Sequence, residues 1–125
     1  MSIPIKYDNT SLRRFYKIFD FKKNYLFKII IFKKEFVGTI SCYIDSNHKT
    51  AHLGILIGEK KFKNKGLGFK AWKLLGDYLF KKKKIRKLYA GTMSLNKPML
   101  SIFRKYGMKH EASLKKHHIF NGKYY

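Results

Sequence analysis

A chain of 125 residues, 45% apolar and 17% aromatic, is sized for one packed domain over residues 1–125 and is too rich in core-forming side chains to be disordered. No apolar run reaches the roughly 20 residues that cross a bilayer, no secretory signal opens the chain, and a lone cysteine, Cys42, makes neither an internal disulfide nor a thiolate metal site, so the expected setting is the cytoplasm. Lys and Arg number 29 against 7 Asp and Glu, and a net charge of +22 attracts polyanions: nucleic acid, anionic surfaces or phosphorylated small molecules.

Leu12, Phe15, Tyr16 and Phe19 make a short helical stripe. Residues 25–32 and 36–44, rich in β-branched and aromatic side chains, predict two strands joined by a hairpin at Lys33, Lys34 and Glu35. In the second strand Gly38, Ile40, Cys42 and Ile44 share a face, so Cys42 points inward as a packed thiol. Ser46, Asn47 and His48 supply the next turn, and residues 51–57 a third strand. From Gly66 the period changes. Leu67, Ala71, Leu74, Leu75, Tyr78 and Leu79 mark a helix face, closed by the run Lys81, Lys82, Lys83, Lys84, whose charge suits the negative end of the helix dipole. Residues 87–92 predict a short strand. Asn96 fits an N-cap and Pro98 a first turn; Met99, Ile102, Phe103 and Tyr106 form the next stripe, and Gly107 ends it. Residues 108–120 are expected to return to strand and to turn at Asn121-Gly122. With no repeat and no linker, the reading is a mixed α/β domain with a mainly antiparallel sheet flanked by helices.

The stretch that carries chemistry is residues 57–71, I-G-E-K-K-F-K-N-K-G-L-G-F-K-A: a strand, a basic loop, then a helix whose first turn holds Gly66 and Gly68. Amides at a helix start point outward, the dipole adds positive potential, and glycine lets a phosphate approach the backbone. Lys60, Lys61, Lys63 and Lys65 add charge, although two glycines also serve simply to make a tight turn into a helix. A P-loop is excluded because no Gly-Lys-Ser/Thr follows at the right spacing. Gly66-x-Gly68-x-x-Ala71 satisfies the dinucleotide fingerprint, but it lies after antiparallel strands, and Arg86 and Lys87 stand where an acidic ribose partner is expected. Nucleic acid is a weaker candidate partner. Only Arg13, Arg14, Arg86 and Arg104 are arginines, the lysines spread over the whole chain, and a lysine-rich composition accounts for the charge equally well. Phe and Tyr among lysines suit single-stranded nucleic acid, yet their periodic placement suits core packing better. His110, His117 and His118 near Glu111 lack zinc spacing.

Lys63-Asn64-Lys65-Gly66-Leu67-Gly68 resembles the Arg/Gln-x-x-Gly-x-Gly/Ala loop of the GNAT superfamily of N-acetyltransferases. Asn96-Lys97-Pro98-Met99 and Phe103-Arg104-Lys105-Tyr106-Gly107-Met108 are similar to that family's Asn-x-x-Ala and Tyr-x-x-x-Gly-Phe segments, and residues 51–58 to its central strand. Phe120-Asn121-Gly122-Lys123-Tyr124 resembles the closing hairpin of the branch that acetylates ribosomal-protein N-termini and amino sugars. The resemblance spans about residues 25–125.

It implies acetyl-CoA as co-substrate, no metal, and direct attack of an amine on the thioester. Acetyl-CoA would lie between splayed strands at residues 53–57 and 87–92. The pantetheine arm would pair with the backbone of Ile55, Leu56 and Ile57. The pyrophosphate would sit on the amides of Lys65, Gly66, Leu67, Gly68 and Phe69 with Lys63 alongside, and Asn96 would hydrogen-bond the arm. Gly66→Val is expected to abolish that binding and leave the fold intact. Phe103 falls where the family carries a general-acid tyrosine, and it has no hydroxyl. His52 falls where a glutamate is often found, and a neutral imidazole accepts a proton near pH 7, so His52 is the candidate base. The expected acceptor is a small-molecule or nucleotide-linked amino sugar ahead of a protein N-terminus; the alternative is a degenerate domain that binds CoA or RNA. Relative to the family the chain is short at both ends, which would leave a sheet edge for a second copy to cover in a homodimer.

Overall fold

A computed structural model describes residues 24–58 and 65–125; the Leu12-to-Phe19 stripe and Lys60, Lys61 and Lys63 lie outside the described residues. The chain divides into two compact units, one ending at Ala90 and one beginning at Gly91.

The first unit is built from β1 (Tyr25–Phe32), β2 (Glu35–Asp45), β3 (Thr50–Ile57), α1 (Leu67–Lys81) and β4 (Lys87–Tyr89). The sheet order is β1-β2-β3-β4; the first three strands are antiparallel, and β4 returns parallel to β3 after the helical crossover. Lys33 and Lys34 turn the first hairpin with φ of 49° and 63°, the left-handed pair that a two-residue type I′ turn demands. The second turn is held by Asp45, whose Oδ1 accepts the amides of Asn47 at 3.0 Å and His48 at 3.1 Å.

One irregularity shapes the core. Ile30 pairs with Gly38 while Ile31 pairs with Phe36, which leaves Val37 as the extra residue of a β-bulge. The bulge re-aims Val37, which is fully buried against Leu67 with Ile30, Phe32 and Ile57 around them. Further along, Ile40, Cys42, Ala51 and Leu53 share the sheet face that α1 covers. Burial pushes the Cys42 thiol up to about 11, so it stays protonated and unreactive at neutral pH.

The helix face differs from the sequence expectation. Trp72, Leu75, Gly76 and Leu79 are buried, whereas Leu74 is 73% exposed and Tyr78 is 44% exposed. Two apolar stripes overlap on this helix. The winning one carries the largest side chain, Trp72, and a glycine one turn on that lets the helix approach the sheet. The lysine run ends the helix as expected, with the Lys82 amide donating to the Tyr78 carbonyl.

Gly38 is required by the neighbouring strand. A Cβ built there would collide with the backbone carbonyl of Leu56. Gly38→Ala is therefore expected to force β2 from β3 and lower stability by about 2 kcal/mol, measured by denaturant unfolding.

The second unit holds α2 (Lys97–Tyr106) and a hairpin of β5 (Ile119–Phe120) and β6 (Lys123–Tyr124). Asn96 caps α2 by accepting the Met99 amide at 3.2 Å, and Gly107, with φ of 85°, closes it. Asn121 and Gly122, both left-handed, form the hairpin turn, and paired bonds between His118 and Tyr125 extend it by one rung. The long strand expected over residues 108–120 is absent; only Ile119–Phe120 is strand. The segment K-H-E-A-S-L-K-K-H-H has no β-branched residue and no apolar alternation, and Lys116 breaks it with φ of 53°. His117 and His118 precede this short strand, and their rings meet edge-on at 5.0 Å.

Candidate active site

The geometry that matters begins where β3 and β4 part. Their parallel pairing covers only Thr50 with Lys87, Ala51 with Leu88 and His52 with Tyr89. β3 continues through Ile57, so over residues 53–57 its outer edge has no strand partner among the described residues. β4 ends at Tyr89, shorter than the expected 87–92, and the fork opens at the His52–Tyr89 pair. Ile55, Leu56 and Ile57 lie on that open edge, half-buried. Backbone groups on an open edge suit an extended ligand that carries its own amides.

The described residues resume at Lys65, and α1 starts from Gly66, whose φ is 72°. The first helical bond runs from the Lys70 amide to the Gly66 carbonyl, so Leu67, Gly68 and Phe69 form the first turn ahead of it. Among the described residues no side chain caps this end and no acidic residue lies in its first turn, which leaves its positive potential unopposed there. Lys65 and Gly66 are exposed, and a Cβ at Gly66 would meet nothing within 4 Å. The left-handed backbone corrects the expectation for Gly66→Val. A β-branched side chain is strained at that φ, so valine would disturb the helix start itself.

His52 is exposed on the sheet face opposite Leu53, which is 2% exposed beneath α1. Its ring stacks on Tyr89, with centroids 5.0 Å apart and planes 24° from parallel. The ring thus stands exposed at the mouth of the strand fork. Sequence reasoning missed Tyr89, because a tyrosine in a three-residue strand carries no periodic signal.

In the second unit Asn96 uses its side-chain oxygen on the cap, which leaves the amide nitrogen as a donor. It lines an open pocket of about 580 Å³ with Thr92, Met93, Leu95, His118 and Phe120. Phe103 is half-buried on α2, one of a stripe with Met99, Ile102 and Tyr106, none of them fully buried. Among the described residues no group of His, Cys, Asp or Glu is arranged to hold a metal, and no helix is long and apolar enough to cross a membrane.

A family model described as an acetyltransferase (GNAT) domain matches residues 4–109. Among curated proteins none matches the chain in sequence. Solved structures do match. The spermidine N-acetyltransferase from Vibrio cholerae in complex with CoA and spermine aligns with a TM-score of 0.80 at 19% identity, over 95% of this chain and 71% of that one. A dodecameric structure of spermidine N-acetyltransferase from the same organism aligns with a TM-score of 0.78 at 20% identity, over 92% of this chain and 68% of that one. At such identity the likeness speaks for the fold.

Proposed function

The chain belongs to the GNAT acetyltransferase family and is an acetyl-CoA-dependent N-acetyltransferase, and from that premise we propose that its acceptor is the primary amine of a small anionic molecule, a nucleotide-linked amino sugar ahead of a protein N-terminus. Acetyl-CoA would lie along the open edge of β3 at Ile55, Leu56 and Ile57. Its pyrophosphate would rest on Gly66, Leu67, Gly68 and Phe69 at the start of α1, with Lys65 supplying charge. The neutral amine attacks the thioester carbonyl; a C–N bond forms, the C–S bond breaks, the amine nitrogen loses a proton and the thiolate gains one. His52 takes the first proton. Positioning and this transfer carry most of the rate.

The observation that carries the acceptor reading is charge. The neighbouring structures belong to enzymes of spermidine, a polycation, but this chain holds 29 basic against 7 acidic residues. Of the acidic residues described, Asp77 pairs with Lys73 at 2.9 Å and Asp45 holds its own turn. A net charge of +22 repels a polycation and draws in an anion. The test is thiol release from acetyl-CoA against a panel of spermidine, a nucleotide-linked amino sugar and an N-terminal peptide. Turnover is expected with the amino sugar and little with spermidine; the reverse order overturns the acceptor, and thiol release with none of them favours a CoA-binding domain without turnover.

A further inference from the structure

The register of the sheet assembles something no single strand shows. Tyr25 pairs with Tyr43, Tyr43 with His52, and His52 with Tyr89, so one row of four rings crosses all four strands. It lies on the face opposite the buried Cys42 and Leu53. These rings are not core: Tyr43 is 47% exposed, Tyr89 is 46% exposed, and His52 is exposed between them. Beside them the next row runs Phe27, Ser41, Gly54 and is low over β2 and β3, where a Cβ at Gly54 would meet only the Ser41 Oγ, at 3.4 Å. The row ends at the fork.

We propose that this row is the acceptor-binding strip, on which the planar base of a nucleotide-borne amine lies against the exposed Tyr43 and Tyr89 rings while its amine reaches His52 from the Lys87 side. The proposal rests on the acetyl-transfer reading above and assigns it a subsite. Three observations choose this occupant. The near-parallel His52 and Tyr89 already adopt stacking geometry, and the register sets exposed Tyr43 on the neighbouring strand beside them. Lys49, Arg86 and Lys87 lie at or next to the Thr50–Lys87 pair, beside the row; Arg86 Nε donates to the His48 carbonyl at 2.7 Å, and the positive charge at this end suits the phosphates of an anionic ligand. The one carboxylate paired into that neighbouring row, Asp45, already accepts the amides of Asn47 and His48.

Uridine diphosphate, which has a base and a diphosphate but no amine, is the probe. Calorimetric titration of the full chain should show binding that persists at saturating acetyl-CoA. Tyr43→Ala and Tyr89→Ala should each weaken it about tenfold, the usual size of a lost stacking partner, while Tyr89→Phe keeps it. Both alanine variants should retain the melting shift with acetyl-CoA, which reports an intact fold and an intact co-substrate site. Unchanged affinity in both alanine variants overturns the proposal. Displacement of the probe by acetyl-CoA also overturns it, since the diphosphate would then occupy the start of α1. So does binding of oligouridylate that tightens with length, which would make the row a nucleic-acid platform. Thiol release with any amine is scored separately, so a silent transferase with an intact strip is distinguishable from an active one without it.

Discussion

Gly66→Asp should weaken acetyl-CoA binding by about a hundredfold and leave the unliganded protein folded. The position permits the change. Its backbone is left-handed at φ 72°, which aspartate tolerates better than most residues, and the space where the Cβ would go is open. A carboxylate there also suits the free helix, because an anion at the N-cap complements the dipole. What it opposes is a second anion. Two like charges about 5 Å apart at an exposed site repel by roughly 3 kcal/mol at an effective dielectric near 20, which is about two decades in affinity. Gly66→Asn has nearly the same shape without the charge and should lose less than tenfold. Calorimetry with acetyl-CoA on both variants decides the matter. Equal affinities for Asp and Asn would remove the pyrophosphate from the start of α1.

His52→Ala should lower kcat about a hundredfold at pH 7 and hardly change the acetyl-CoA melting shift, since the ring faces away from α1. The deficit should shrink as the pH rises and the acceptor amine deprotonates unaided. His52→Gln keeps a polar side chain of similar reach without a base, so it should behave like alanine if proton transfer is the role. The stack on Tyr89 gives an independent check. Tyr89→Phe preserves the ring and should preserve kcat with a simple amine, whereas a variant lacking the ring should lose orientation of the imidazole. A pH–rate profile unchanged in His52→Ala would remove His52 as the base.

Elements with strong local signals were legible in the chain. The bounds of β1, the cap by Asn96 and the stop at Gly107 coincide with expectation because each depends on residues within a few positions of one another. The buried face of α1 was not, since two apolar stripes compete on it and only the sheet beneath chooses between them. The bulge at Val37 and the demand for glycine at Gly38 are likewise set by the partner strand. At the candidate site, Gly66 announced itself through spacing and His52 through resemblance. The ring row did not: Tyr25, Tyr43, His52 and Tyr89 are scattered over 65 positions and meet only through register. Residues 108–118 lack the strand expected there, and two residues on each side of the Asn-Gly turn suffice for the hairpin.

Five of the six non-glycine residues with positive φ among the described residues are lysines: Lys33, Lys34, Lys49, Lys84 and Lys116. Most proteins put glycine, asparagine or aspartate at such positions, because a longer side chain there costs about 1 kcal/mol or more. Here the cationic side chains sit at the tips of the turns, where they are the first parts of one molecule to approach another. The fold carries a mutually repulsive outer shell, and this has a colloidal consequence. The hairpin of β5 and β6 presents Ile119 at 69% exposure and Tyr124 at 66% exposure on short strands whose outer edges could pair with a copy. At low ionic strength the lysine-tipped turns hold copies apart, and salt, by shortening the reach of that repulsion to about 8 Å near 0.15 M, brings those edges within range of one another.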